Sequence, residues 1–467
     1  MYMYNMVDSA LSQTLQDTDQ GAYQLDRRDV AKILYALDAR DCGQLVTAMD
    51  PLHPADIADL LEQMNPFDRS RLIRLYDRAF DGEIPTELQE GLREEIIDLL
   101  KPDVLANAMR KLATDDVVDL VEDLNDNQQE AIIEVLTDAD GVAVVSSLNY
   151  PEHSAGILMQ CKMVIAPQDW QVWDAIDHLR ATDNLPRQFY HVTLVDRKTH
   201  PVSNVSLGRL MATRCNVALK DIAEEILQVI PATQAEADVA YAFNQYHLIS
   251  TPVVDEDGLI VGVITIYDAM VVLDEEHEED ILRLAGVGDG SLSDTVLQTT
   301  WQCVPWLTVN LGTSILASTV IAQFEATIES FVALAVVMPI IASMGGNTGT
   351  QSLTVVVRAL ATKDLTASNV WRVIRREVFS ALINRVFFAV LMGMAWQIWF
   401  NSSSLGYVIV SAMVINFMTA GLAGTGVPII LDRFGIHTAL ASSAFVTIVT
   451  DVIGFLAFLG LAVWVLF

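Results

Sequence analysis

The sequence predicts a chain of three parts: an all-α superhelix of short helices, a tandem pair of small α/β modules, and an α-helical membrane domain with five spans. Three observations carry this reading. Charge is divided, because of 60 acidic and 28 basic residues only six acids and seven bases lie beyond residue 300, which leaves −33 on residues 1–300 and +1 on the rest. Apolar residues recur at spacings of three and four from Arg27 to Leu148, then give way to short β-rich runs alternating with helical runs as far as Tyr267. Beyond Trp301 come five apolar stretches of spanning length.

The acidic half disfavours nucleic acid and anionic lipid headgroups as partners and attracts cations. Cys42, Cys161, Cys215 and Cys303 lie far apart without C-x-x-C spacing. That argues against zinc and a disulfide framework and fits a reducing cytosol. The opening M-Y-M-Y-N-M-V-D lacks the basic-then-apolar pattern of a cleaved signal. No nucleophile sits with a base, and there is no Walker-type loop or metal triad, so an enzyme is not expected.

Residues 1–25 read as a loose polar tail and 26–149 as the helical domain. Amphipathic runs include Ile57, Leu60, Leu61 and Met64, then Val117, Val118, Leu120, Val121 and Leu124. Helix starts are marked in H-P-A-D (53–56), N-P-F-D (65–68), K-P-D-V (101–104) and T-D-D-V (114–117). Short helices in series bury their apolar faces only against neighbours, which predicts the superhelix.

The two α/β modules span 150–211 and 212–270, with strands expected at 192–195, 251–254 and 259–266 and helices at 172–180 and 235–246. T-P-V-V-D-E-D-G-L-I-V-G-V-I-T-I-Y-D (251–268) reads as two strands around an Asp-Gly turn, with a helix starting at Asp268. Residues 271–298 form an acidic connecting helix. Its D-E-E-H-E-E-D (274–280) puts six carboxylates in seven residues, which repel one another unless a cation or basic partner screens them. A divalent-metal site and a solvated linker helix both fit.

The membrane domain, 299–467, has apolar stretches at 301–324, 329–349, 378–400, 406–431 and 439–467. Arg358, Lys363, Arg372, Arg375 and Arg376 fill the second connection and Arg433 the fourth, whereas the first carries only Glu325 and Glu329 and the third no charge. The positive-inside bias therefore makes the second and fourth connections cytosolic, with the acidic half in the cytosol and Phe467 outside. Within the second stretch, M-P-I-I-A-S-M-G-G-N-T-G-T-Q (338–351) combines Pro339 with Gly345, Gly346 and Gly349, which predicts irregular backbone at a pore or binding-site wall. Asn347, Thr348, Thr350 and Gln351 offer neutral oxygens there; the alternative is close helix packing through the glycines.

Polar groups inside spans need an explanation. Asp451 is the one carboxylate deep in the last span, with Thr447 on the same face and Thr450 beside it. It reads as a cation ligand, an outer-shell partner of the ion or a proton relay, and alternatively as the partner of Arg385 in the third span. Asn416, Ala420, Gly424 and Pro428 form a stripe of small and polar residues suited to packing or to a pore. One carboxylate among hydroxyl and amide oxygens is a hard-oxygen site, suited to a magnesium ion that keeps its waters; sodium or a proton also fits.

The residues resemble the MgtE family of magnesium transporters and channels. The resemblance lies in M-G-G-N-T-G-T-Q (344–351), R-A-L-A-T-K-D-L (358–365), Asn416, Pro428 and F-V-T-I-V-T-D-V-I-G-F-L (445–456), and upstream in L-H-P-A-D-I-A-D-L-L (52–61), Y-P-E-H-S-A-G-I-L-M (150–159) and E-E-D-I-L-R-L-A-G (278–286). It implies a helical N domain, a tandem CBS pair, a connecting plug helix and five transmembrane helices. It also implies a homodimer in the bacterial inner membrane, with hydrated Mg²⁺ held by Asp451 in a central pore lined by Gly345, Gly346, Asn347, Asn416, Thr447 and Thr450. Asp268, Glu276, Glu279 and Asp280 become Mg²⁺-sensing carboxylates, and Thr265 with Asp268 a site for regulatory ATP.

The chain departs from the family pattern at His247, Val271 and A-T-R-C (212–215), where acids are common, at S-N-V-S-L-G-R (203–209) of the first module, at Arg385, where a small residue is usual, and at H-T-A-L-A-S-S-A-F (437–445). These departures bear on gating and selectivity. Two rival functions remain: transport of another cation, whether divalent, Na⁺ or H⁺-coupled, and a membrane-anchored nucleotide or ion sensor without transport.

Overall fold

The computed structural model describes residues 25–466 apart from 78–79, 111, 123, 125–128, 130–131, 134–135, 137, 183–184, 226–227, 286–295, 366–368 and 435–437. The expected tail, but for Leu25, and part of the connecting segment thus lie outside the described residues. The chain divides into two compact units, residues 1–273 and 274–467. The three parts read from the sequence are grouped there as two.

The first unit begins with short helices: α1 (Arg27–Ala39), α2 (Cys42–Met49), α3 (Pro54–Gln63), α4 (Pro66–Tyr76), α5 (Glu83–Thr86), α6 (Glu90–Leu99), α7 (Pro102–Met109), α8 (Thr114–Glu122) and α9 (Asp138–Ser147). Local chemistry sets their starts. Pro54 and Pro66 occupy first-turn positions where a missing N–H costs nothing, and Asn65 accepts from the Asp68 N–H at 3.0 Å. Ile33, Leu45, Leu61, Leu72, Ile84, Leu92 and Ile96 are fully buried, each contributing about 1.5–3 kcal/mol over exposure.

A bonding pattern repeats along this stack. Arg69 donates from Nε to the Leu61 carbonyl and from Nη2 to that of Met64, both at 2.9 Å, and pairs with Glu95 at 2.8 Å. Gln129 Nε2 reaches the carbonyls of Val121 and Leu124 at the same offsets of eight and five residues, and Arg93 pairs with Asp119. These side chains close helix ends whose carbonyls have no intrahelical partner.

Two sheets follow, with α10 (Ala155–Leu158), α11 (Val172–Ala181), α12 (Leu207–Ala212) and α13 (Glu236–Tyr246). In the first, β1 (Ile165–Pro167) runs parallel to β2 (His191–Val195), which pairs antiparallel with β3 (Pro201–Ser206) and that with β4 (Glu224–Glu225). In the second, β5 (Ile230–Pro231) is parallel to β6 (Ser250–Val254), which pairs antiparallel with β7 (Ile260–Thr265), Thr251 opposite Ile264. The shared parallel-then-antiparallel order makes the modules structural repeats. Gly258 takes φ +79° at the expected Asp-Gly turn. Helix α14 (Ile266–Ala285) starts two residues before Asp268, whose carboxylate caps it by accepting from the Thr265 N–H and hydroxyl at 2.9 and 2.8 Å.

The second unit holds the end of α14, then α15 (Val296–Ala322), α16 (Glu325–Ser330), α17 (Ala333–Ala361), α18 (Val370–Phe400), α19 (Ser403–Arg433) and α20 (Thr438–Leu466). Five of these, all but α14 and α16, are long and apolar enough to cross a membrane. Helix α19 packs against α17, α18 and α20. Leu334, Ile341, Met413, Phe417, Phe458 and Leu459 form the core they share.

One expectation is corrected. Helix α17 is continuous for 29 residues with Pro339 inside it, so the glycine segment does not break the span. Each of two glycines lets a neighbour approach: a Cβ on Gly345 would fall 2.3 Å from Asn416 Nδ2, and one on Gly349 2.4 Å from Val446 Cγ1. Packing against α19 and α20 outweighs the ~1 kcal/mol per glycine that disfavours the helix.

Candidate cation site in the membrane helices

Two layers of contact fix how α17, α19 and α20 meet. Asn416 of α19 is 1% exposed, donates from Nδ2 to the Ile341 carbonyl at 2.9 Å, and sits between Gly345 of α17 and Gly454 of α20, where added Cβ atoms would fall 2.3 and 2.8 Å from it. Gly349 meets Val446 and Thr450 of α20, and a Cβ on Gly424 of α19 would lie 2.5 Å from the Gly349 carbonyl oxygen. The contacts run in opposite directions along α17 and α20: residue 345 lies level with 454, and 349 with 446–450. Interpolating this antiparallel register puts Asn347 level with Asp451.

Asp451 is half-buried on its spanning helix. No hydrogen bond or ion pair joins its carboxylate to another side chain among the described residues. Arg385 is not its partner, because its Nη2 donates instead to Gln351 Oε1 at 2.6 Å. Thr447 and Thr450 bond back to the carbonyls of Ser443 and Thr447 at 2.9 and 3.0 Å, which settles their donors and leaves oxygen lone pairs free.

From Ser343 onward the open side of α17 is polar. Ser343, Asn347, Thr350, Gln351, Thr354 and Arg358, on one face of the helix, are all exposed. Thr350 and Thr354 return their hydroxyls to the helix at 3.0 and 2.9 Å and Gln351 accepts from Arg385, which lowers their cost in lipid, but among the described residues the amide of Asn347 has no such relief. A face of this kind belongs against water or another polar protein surface.

The residues expected to line a pore therefore separate into two sets within the chain. Gly346 and Asn347 open outward, with nothing within 4 Å of a Cβ on Gly346. Gly345, Asn416 and Thr450 are buried between helices, where they build the packing that supports the open residues. Thr447 is half-buried.

The cytosolic candidates are dispersed along α14. Asp268 is engaged with Thr265, Glu279 pairs with Arg283 one turn on, and Glu276 and Asp280 are half-buried. Among the described residues no group of three or more His, Cys, Asp and Glu side chains is disposed to hold a metal. The sequence reading missed Asp115 and Asp116 at the start of α8. Burial and the charges of Asp268 and Asp116 raise the Asp115 carboxyl well above its ordinary value, and burial raises Asp116 to about 6. T-D-D-V was legible only as a helix start, since its neighbour Asp268 is about 150 residues away in sequence. Thr265 also lines a cleft open to solvent with Gln160, Lys162, Tyr190, His191 and Ser250.

Five helices long and apolar enough to cross a membrane, with a half-buried carboxylate on the last, give the chain the character of a polytopic membrane protein. Residues 338–461 match the family model for a divalent cation transporter, MgtE; 52–153 match the MgtE intracellular N domain and 219–275 a CBS domain. The chain belongs to the MgtE family of magnesium transporters. It is 30% identical to a magnesium transporter MgtE of Enterococcus faecalis over 68% of this chain and 70% of the relative. It is 28% identical to one of Bacillus subtilis over 76% and 79%, and 29% identical to one of Thermus thermophilus over 77% and 78%. A crystal structure of the cytosolic domain of the Mg²⁺ channel MgtE in complex with ATP aligns with a TM-score of 0.48 at 22% identity, covering 52% of this chain and 99% of that one.

Proposed function

We propose that the protein moves hydrated Mg²⁺ down its electrochemical gradient across a bacterial inner membrane, through a path that a homodimer builds from the open faces of α17 and α20. The observation that carries this reading is Asp451, half-buried, without a side-chain partner among the described residues, and level with Asn347 on the polar stripe. A single carboxylate per protomer suits an ion that keeps its waters, because the dehydration cost of Mg²⁺ is not incurred and water bridges charge to ligand. Two protomers supply two carboxylates, matching the charge of one divalent ion. Pairing the α17 stripes across the dimer also removes the lipid cost of Asn347.

The same reading makes the cytosolic part a gate. Leu284 of α14 packs on Leu353 and Val357 of α17, so movement of the acidic helix bears directly on a pore helix. Mg²⁺ drawn to the acids along the acidic helix, Asp268, Glu276, Glu279 and Asp280, relieves carboxylate repulsion and favours one arrangement of it. The cleft beside Thr265 takes adenine nucleotide as a second effector, with Thr265 and Asp268 toward its ribose.

Initial cation uptake into proteoliposomes, measured across Mg²⁺, Ca²⁺, Na⁺ and a proton gradient, tests the transport reading: Mg²⁺ uptake dominates, and uptake that ignores Mg²⁺ refutes it. The gate reading predicts that proteolysis of the cytosolic half slows as Mg²⁺ rises and that E276K/E279K removes the effect. Cleavage indifferent to Mg²⁺ in the unmodified protein excludes it.

A further inference from the structure

Arg385 is a basic residue eight positions into the apolar stretch that begins at Val378, and an unpaired charge there is costly. No ion pair joins its guanidinium to a carboxylate among the described residues, and the nearest opposing charge acting on it is Glu377, two turns back on α18. It crosses from α18 to α17 and donates to Gln351 at 2.6 Å. Gln351 lies on the exposed stripe one helical turn from Asn347, on the side toward Arg358 and the cytosolic connection. At 1.5 Å per residue that is about 6 Å along the helix from the level of Asp451. The contact holds a permanent positive charge beside the inner half of the stripe, since arginine does not lose its proton in proteins.

We infer that Arg385 sets the rate and valence preference of cation passage, a fixed positive charge, held by Gln351, that each ion passes between Asp451 and the cytosol. This rests on the path proposed above. Repulsion across about 7 Å of water slows a divalent ion by about sevenfold and a monovalent one by about threefold. The charge therefore brakes the cargo more than its monovalent competitors. Gln351 acts through Arg385 as a positioning residue, because without its oxygen the guanidinium is free to swing toward the cytosolic interface.

The test is Mg²⁺ and Na⁺ uptake in proteoliposomes by the full chain and its R385Q, R385K, Q351L and D451N variants, each checked for an unaltered size-exclusion profile. The inference predicts that R385Q raises the initial Mg²⁺ rate about sevenfold and the Na⁺ rate about threefold, with Q351L between wild type and R385Q. Uptake by R385Q from an inactive wild type also supports it. An R385Q rate equal to or below wild type overturns it, and so does an equal gain in R385K, which keeps the charge. If wild type carries Mg²⁺ and D451N abolishes uptake while R385Q changes nothing, this inference alone fails. If neither wild type nor R385Q carries Mg²⁺, the transport reading fails and takes the inference with it.

Discussion

Adjacent glycines in α17 should respond oppositely to one added methyl group. In Gly345→Ala the new Cβ lies 2.3 Å from Asn416 Nδ2, more than 1 Å inside ordinary contact, and Asn416 has no room to retreat. Its amide is bonded to the Ile341 carbonyl at 2.9 Å, and Gly454 closes the other side. Overpacking of this kind costs about 1–3 kcal/mol, and loss of the buried hydrogen bond adds about 1 kcal/mol. Against that stands about 1 kcal/mol gained from alanine's helix propensity, so the net loss is roughly 1–3 kcal/mol. Gly346→Ala meets nothing within 4 Å and keeps only the propensity gain. Thermal unfolding of the detergent-solubilised full chain should show G345A with a lowered midpoint and G346A at or above wild type. Asn416→Ala, destabilising by itself, should cost less in the G345A background than in wild type. Equal midpoints for G345A and G346A, or additive effects of G345A and N416A, would refute the clasp.

Two further outcomes concern the cytosolic unit. Arg69→Met leaves the buried carbonyls of Leu61 and Met64 without a donor and should destabilise α3 and α4 by roughly 3 kcal/mol, read as faster amide hydrogen exchange there. Because burial raises Asp116 from 3.8 to about 6, the folded state binds its proton more tightly than the unfolded chain. That contribution is fully present below about pH 4 and is lost as pH rises through about 6, at most about 3 kcal/mol. Amide exchange in α8, corrected for its intrinsic pH dependence, should therefore speed up across that window in wild type and respond less in D116N.

The architecture was legible because its signals are local and periodic. Five apolar stretches, proline-marked helix starts and the Asp-Gly turn each state their structure within a dozen residues. Strands β1, β3, β4 and β5 were not foreseen, since two or three residues carry no readable period and β3, P-V-S-N-V-S, breaks the alternation of apolar and polar residues. Asp451 stood out as an acid in apolar sequence. The roles of Gly345 and Gly346 could not be separated, because which glycine faces Asn416 depends on the register of α17 against α19. Asp115 escaped notice for the same reason: its neighbour Asp268 is supplied by another domain. The expected break at the glycine segment failed because propensity was read without the packing that overrides it.

The central claim is that the lone carboxylate in the last span holds the ion during transfer. Mg²⁺ uptake into proteoliposomes by wild type and by Asp451→Asn, which is nearly the same size without the charge, tests it most directly. The account predicts that the asparagine variant, folded and assembled as wild type, loses at least about tenfold of the uptake rate. Uptake by that variant at the wild-type rate would contradict it.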